Sequence, residues 1–310
     1  YFSCASDAQG NLTKQLLGRE LFDGVTEALI PGWGAAKTVF FTKRFQAVPH
    51  HLWRVDGVNL VSAAVENPVV YEVFLSYSAP AFAEEYLYQT LKKDRSKSTF
   101  KLLRQGTLVE VDYGFPQDVA RQDRQVKSNK RYSDTLQHAE MHKRRLAVVV
   151  KVISSNLVQV APVTSQGTVG DKSEFQLSQA TIDRLPRYKD SGYSSYVLCN
   201  RLEAVSTQRI LPPLAYDRKG RKARYTTYPI ALSSHELNDL RASMLVAIGI
   251  SDYSPLHRLK TAEKQVEACE AQIAELEGRV AALEAEGETV AGLCRDWAVH
   301  LGRDFDEELE

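Results

Sequence analysis

Residues 147–163 constrain this chain most. Ala147 to Ile153 is a nearly continuous apolar run, Ser154-Ser155-Asn156 is a polar turn, and Leu157 to Val163 is a second apolar run. An apolar run without alternation suits a strand covered on both faces. Two such runs around a short polar turn make a hairpin. A buried hairpin needs other strands beside it and something to cover it. Leu108, Val109 and Val111 begin one strand, and Glu174-Phe175-Gln176-Leu177, Ser195-Tyr196-Val197-Leu198-Cys199 and Leu202 to Ser206 supply others. Ser233-Ser234-His235-Glu236 is a capping box that opens a helix through Leu237, Leu240, Met244, Leu245 and Ile248. The expected package for residues 99–255 is therefore mainly β, a small, strongly curved barrel with one closing helix.

The flanks have other patterns. Residues 1–98 read as an α+β region, with strands at Lys37 to Phe41 and Val69 to Phe74, a helix from Glu84 to Lys93, and turns at Pro31-Gly32-Trp33-Gly34 and Val48-Pro49-His50-His51. No motif in it carries chemistry, and Lys92 to Ser98 reads as a linker. In residues 256–300, Leu259, Val266, Ile273 and Val280 recur every seven residues, and Ala262, Cys269, Leu276, Leu283 and Val290 follow three later. Mostly β-branched residues at a, with Leu at two d sites, favour a two-stranded parallel coiled coil. A single amphipathic helix folded back on the protein is the alternative. Gly278 and Gly287 each weaken the helix by about 1 kcal/mol. Residues 301–310 end in an acidic tail, Asp304 to Glu310, expected to be solvated.

Lys and Arg number 39, and so do Asp and Glu, so nucleic-acid contact must come from local patches and not from bulk charge. The cysteines, Cys4, Cys199, Cys269 and Cys294, form no C-x-x-C pair, which argues against a zinc knuckle or a disulfide framework and suits a reducing cytoplasm. No apolar stretch approaches the ~18 residues of a membrane span. The chain opens on Tyr1 and its methionines are Met141 and Met244, which reads as a fragment or a processed product.

The chemistry-bearing residues gather around the hairpin. Glu140 stands five residues before Arg145, and Thr164 ends the neighbouring strand. A carboxylate, a guanidinium and a hydroxyl suit metal-free attack on a phosphodiester. The carboxylate orients or deprotonates a ribose 2′-hydroxyl, the guanidinium forks onto phosphate oxygens, and the hydroxyl donates to another. The bland reading is a surface Glu140–Arg145 ion pair and a Thr at a strand end. His138 and His142 flank Glu140, and imidazole is a common acid or base in catalysis, so either could serve as one. Their spacing is not H-E-x-x-H, and no P-C-x-x-C follows, so neither a zinc protease nor a deaminase is indicated. Lys143 and Arg144 are candidates for RNA-phosphate contacts. The long loop Phe115 to Ala139 carries a basic tip of Lys127, Lys130 and Arg131. A second basic cluster, Arg218, Lys219, Arg221, Lys222 and Arg224, lies beside Tyr225 and reads either as a strip that tracks unpaired nucleic acid or as a solvated hairpin tip.

Residues 104–253 resemble the PemK/MazF family, toxins of bacterial toxin–antitoxin pairs. Gly106-Thr-Leu-Val-Glu-Val-Asp-Tyr113 is similar to that family's opening strand. Arg145-Leu-Ala-Val-Val-Val150 is similar to its R-P-A-V-V strand, with Leu146 in place of Pro, and Ala161-Pro-Val-Thr-Ser165 to its P-x-T-[ST] strand end. Val205-Ser206-Thr207-Gln208-Arg209 matches a late strand–Ser–x–x–Arg pattern, and a final helix follows. The resemblance implies an SH3-like barrel that dimerises and cuts single-stranded RNA without a metal or other cofactor. The products would be a cyclic phosphate and a free 5′-hydroxyl, and a cognate antitoxin would be its protein partner. It also implies that Glu140 and Thr164 hold the family's acid and Thr positions. Where some members carry Arg–Cys–Asp, this chain has Leu198-Cys199-Asn200, so that catalytic pair is absent or weakened. The competing expectation is a non-catalytic member that binds RNA, DNA or a protein, as the fold's gyrase-poisoning relatives do.

Overall fold

The structure is a computed structural model that describes residues 1–6, 12–33, 38–46, 48–61, 68–77, 79–80, 82–168, 170–217, 219–250 and 254–302. The acidic tail from Asp304, Lys37 and Arg218 lie outside the described residues. Two compact units are present, residues 1–248 and 249–310.

The first unit begins with β1 (Phe2–Ser6), β2 (Leu12–Leu16), β3 (Glu27–Pro31), β4 (Val39–Thr42), β5 (Leu52–Leu60) and β6 (Tyr71–Ser76). Five of these make a sheet in the order β2-β1-β6-β5-β4. Trp53, Val55, Val73 and Leu75 fill its core with Val39 and Phe45. The alternating burial of Trp53, Val55 and Gly57 along β5 is that of a strand with one wet face. α1 (Leu87–Lys93) and the single turn α2 (Thr99–Leu102) follow, so the polar stretch expected to be a linker is a tight turn between helices.

The second part is β7 (Leu108–Asp112), β8 (Gln117–Arg121), β9 (Val126–Ser128), β10 (Arg144–Val152), β11 (Leu157–Thr164), β12 (Glu174–Gln176), α3 (Gln179–Ile182), α4 (Pro186–Lys189), β13 (Tyr196–Leu198), β14 (Glu203–Ser206), β15 (Ile210–Leu211), β16 (Leu214–Tyr216), β17 (Lys222–Arg224) and α5 (Ser234–Ala247). Its main sheet runs β12-β13-β11-β10-β7-β15, with β14 also paired to β11. Both faces are covered, which is why β10 reads as unbroken apolar sequence. One face carries Val109, Val111, Ala147, Val149, Val158 and Val160 and packs on Leu87 and Leu103 from the helices before it. The other carries Leu108, Leu146, Val148, Val150, Ala161 and Val163 and packs on Leu240 of α5. The capping box of α5 is formed as expected, with Ser233 and Glu236 bonding each other's backbone N–H.

The segment 115–139, expected to be a loop, is partly built into a sheet. β8 and β9 form a hairpin, and β8 pairs along its length with β3, from Glu27↔Arg121 to Pro31↔Gln117. The partner strand lies about ninety residues earlier in the chain, so no local pattern announces the pairing.

A buried ion network ties these pieces together. Glu110 on β7 is 0% exposed, and its Oε2 accepts a 2.8 Å hydrogen bond from Arg224 Nη1 on β17, itself 8% exposed at the side chain. Tyr188 donates to Glu110 Oε1 at 3.2 Å, and Arg224 also donates to the Pro212 carbonyl at 2.6 Å. Glu84 lies 3.7 Å from Arg224 and is hydrogen-bonded by Arg144, which also reaches Asp112 Oδ2 at 3.0 Å. Burial alone would lower the Arg144 pKa, but hydrogen bonds and charge from Glu84 and Asp112 outweigh it and hold the guanidinium charged. Removing one partner strands a buried charge, at a cost of about 3–5 kcal/mol. Glu110→Ala is therefore expected to lose about that much stability in urea unfolding, and a Glu110→Met/Arg224→Met double change is expected to lose much less.

The second unit holds α6 (Ser254–His300). At 1.5 Å per residue this helix is about 70 Å long. Leu259, Val266, Ile273, Leu276, Val280 and Leu283 are each more than half exposed. The cysteines differ sharply in setting. Burial, with a smaller contribution from the charge of Glu174, pushes the Cys199 thiol up to about 12, whereas Cys269 is exposed. Since the thiolate is the reactive form, iodoacetamide at pH 8 is expected to label Cys269 in the native protein and Cys199 only after denaturation, as read by peptide mass mapping.

Candidate active site

The ladder between β10 and β11 begins at Ala147↔Pro162; Arg145 lies two residues before Ala147 and Thr164 two after Pro162, so strand alternation puts each on the face of its neighbour in that pair. Opposed residues of an antiparallel pair share a face, so these two side chains project from the same side of the sheet. Arg145 also lies opposite Val111 of β7, which places it on the face of Val111 and Ala147. Its Nε donates to the His142 carbonyl at 3.0 Å, and the side chain is half-buried. Thr164 Oγ1 accepts from the Gln166 N–H at 3.2 Å. Just beyond, the chain passes over the Tyr196 ring at Gly167, where an added Cβ would sit 2.4 Å from Tyr196 Cγ. Only glycine permits that approach.

Glu140 is fixed by a turn. Its Oε2 accepts from the Gln137 N–H at 2.8 Å, its own N–H donates to the Gln137 carbonyl at 3.1 Å, and the residue is exposed. Asn129 and Gln137 hold the preceding loop by donating side-chain hydrogen bonds to the carbonyls of Leu136 and Tyr132, both at 2.7 Å. Among the described residues no ion pair joins Glu140 to Arg145.

Glu140 lines a cleft of 720 Å³ together with Tyr113, Arg201, Glu203, Ser206 and Arg209. β14 pairs with β11 at Val160↔Glu203 and Val158↔Val205, so Glu203 shares the Val160 face of the sheet and opens into this cleft. Burial first, and then the charge of Glu140, raise the Glu203 carboxyl pKa, while Arg209 and Arg201 oppose the shift. The Tyr113 hydroxyl is buried and has no hydrogen-bond partner among the described residues. Burial and the charge of Glu203 raise its pKa well above the ordinary phenol value, and Arg145 and Arg209 pull it down, so all three charges act on one hydroxyl. Arg209 Nη1 donates to the Tyr113 carbonyl at 3.0 Å. Two carboxylates and two guanidiniums around an apolar floor suit an anionic substrate that exchanges protons. Among the described residues no three His, Cys, Asp or Glu side chains cluster as a metal site requires, and no helix is long and apolar enough to cross a membrane.

Sequence reasoning noted Tyr113 and Arg209 only as motif landmarks and passed over Arg201 and Glu203. The available signal was the period of two in Glu203-Ala204-Val205-Ser206, which puts a carboxylate in line with an inward valine.

The remaining candidates lie elsewhere. Arg144 and Arg224 are taken up in the buried ion network. Lys143 is a half-buried turn residue at φ 69°, with its N–H on the Gly114 carbonyl. His138 Nε2 meets Asp118 Oδ1 at 3.1 Å, and His142 Nδ1 meets the Glu140 carbonyl at 3.0 Å. Lys127, Lys130, Arg131 and Lys219 are exposed. Arg221 pairs with Asp217 at 2.7 Å, Lys222 lies over the Tyr216 ring at 5.5 Å, and the Tyr225 hydroxyl donates to the Arg221 carbonyl at 3.2 Å. In the Leu198-Cys199-Asn200 stretch, Cys199 is buried and Asn200 Nδ2 donates to Asp171 at 3.3 Å.

Residues 131–224 match the family described as PemK-like, MazF-like toxin of type II toxin-antitoxin system. No curated protein matches the chain. Among solved structures it is similar to the Mycobacterium tuberculosis toxin MazF-mt6 at 18% identity, over 36% of this chain and 91% of that one, with a TM-score of 0.24. A likeness that low says nothing about function. The family match does cover Glu140, Arg145, Thr164, Arg201, Glu203 and Arg209 together, so the segment of this chain that carries these residues is a domain of the PemK-like, MazF-like toxin family.

Proposed function

We propose that residues 99–255 form an SH3-like small barrel closed by α5, and that this domain is an endoribonuclease acting in the cytoplasm as the toxin of a toxin–antitoxin pair. Its substrate is single-stranded RNA and its reaction needs no metal. The ribose 2′-hydroxyl attacks the adjacent phosphate with Glu140 as base, Arg145 carries the charge that gathers on the phosphorane, and Thr164 donates to a non-bridging oxygen. What supports this reading is that strand alternation puts Arg145 and Thr164 on one face of β10 and β11, and that Tyr113, which lines the cleft with Glu140, lies in the field of Arg145. Lys127, Lys130, Arg131, Lys219 and Lys222 are the exposed cations that would follow the RNA backbone, and a cognate antitoxin would cover the same face. Arg145→Ala is expected to cut a long single-stranded RNA at least a hundredfold more slowly, with unchanged circular dichroism, and excess chelator is expected to leave the wild type at full rate. Wild type that binds such RNA in a gel shift without cutting it would favour the non-catalytic reading.

The exposed apolar stripe of α6 supports a parallel, in-register homodimer. With Leu259 at a, the e positions are Glu263, Glu270, Glu277 and Glu284, and the g positions include Gln265, Gln272 and Arg279. Antiparallel pairing sets e against e and so Glu against Glu. Parallel pairing sets g against the next e of the partner, which brings Arg279 to Glu284 and leaves no like charges opposed. Arg279→Glu is expected to weaken the dimer about tenfold in Kd by analytical ultracentrifugation, and adding Glu284→Arg to that variant is expected to restore it.

A further inference from the structure

We propose that Glu203 is the general acid of this site, protonating the 5′-oxygen that leaves when the RNA chain is cut. The inference rests on the endoribonuclease reading and adds the half of the proton transfer that Glu140, Arg145 and Thr164 do not supply.

Three observations carry it. Glu203 opens into the same cleft as Glu140 from a different element: Glu140 comes from the turn before β10, and Glu203 from β14, which pairs with β11. The two carboxyls differ in setting, since Glu140 is exposed and Glu203 half-buried. Two carboxylates in one site whose surroundings separate their proton affinities divide into a base and an acid. Burial and the charge of Glu140 both favour the protonated form of Glu203, which is the form that can donate.

The third observation is Tyr113. The residue is 4% exposed and lines the cleft, while its hydroxyl is buried with no hydrogen-bond partner among the described residues. Glu203, Arg145 and Arg209 all act electrostatically on that hydroxyl, so the acid and two guanidiniums surround one point in the wall of the cleft.

The step balances without any further reactant. The 2′-oxygen forms a bond to phosphorus while its proton passes to the Glu140 carboxylate. The bond from phosphorus to the 5′-oxygen breaks, and that oxygen takes the Glu203 proton. The products are a 2′,3′-cyclic phosphate and a 5′-hydroxyl. Glu140 then releases its proton to water, and Glu203 takes one up.

The test compares an ordinary single-stranded RNA with the same RNA carrying sulfur in place of the 5′-bridging oxygen at the cut site, since a thiolate leaves without protonation. Glu203→Gln is expected to slow the ordinary RNA about a hundredfold or more and to cut the thio-substituted RNA within a few-fold of wild type. Wild-type speed on ordinary RNA in Glu203→Gln would overturn the assignment, as would equal losses on both RNAs, which would mark a positioning or folding role. In those cases the endoribonuclease reading stands, because wild type still cuts. Failure of wild type to cut either RNA overturns that reading and this inference with it.

Discussion

The rest of this structure depends on a carboxylate that water does not reach. Glu110 sits in the middle of β7 with apolar neighbours on either side in sequence, and Arg224, Tyr188 and Arg187 converge on it from the β16–β17 hairpin and from α4. Through Glu84 the same network reaches Arg144 and Asp112. Each of these groups would be costly to bury alone. Together they force elements from three parts of the chain to meet in one arrangement, because any other leaves a charge unpaired in the interior. Apolar packing alone is less demanding, since volume-conserving rearrangements cost little.

That network also explains why two adjacent arginines have different jobs. Successive residues of a strand point to opposite faces. Arg144 leaves β10 on the face of Leu146 and is neutralised by Glu84 and Asp112. Arg145 leaves on the face of Ala147, where its nearest polar partner is a backbone carbonyl and its charge is felt by Tyr113. One guanidinium holds the fold and its neighbour stays available to a ligand. The same division separates Arg224, which is spent internally, from the exposed Lys219 and Lys222 of its hairpin.

Much of the central sheet was legible because its signals are local. The apolar run of β10, the polar turn after it and the capping box of α5 each depend on residues within a few positions of one another, and period and capping rules read such patterns directly. Glu140, Arg145 and Thr164 are candidates that spacing and resemblance bring forward. Glu203 and Arg201 were not legible, because a charged residue on a short strand looks solvated until the strand's partner is known. The β8–β9 hairpin was read as a loop for the same reason. Its pairing with β3 joins positions far apart in sequence, and Arg124 and Asp123 at its tip resemble any polar turn.

By itself the sequence determined the central hairpin of β10 and β11 and where it turns, the capped start of α5, that α6 carries a heptad stripe, and that a carboxylate, a guanidinium and a hydroxyl flank the hairpin. Those properties follow from local propensity and periodicity. Only the tertiary structure decided which cations are exposed and which are consumed, that Glu203 and Tyr113 join Glu140 in one cleft, and that residues 1–98 pair with β8 through β3 and pack on the central sheet through α1. The physical reason is that burial and charge pairing are set by register between strands distant in sequence. A shift of one residue in that register would exchange the two faces and, with them, the roles of Arg144 and Arg145.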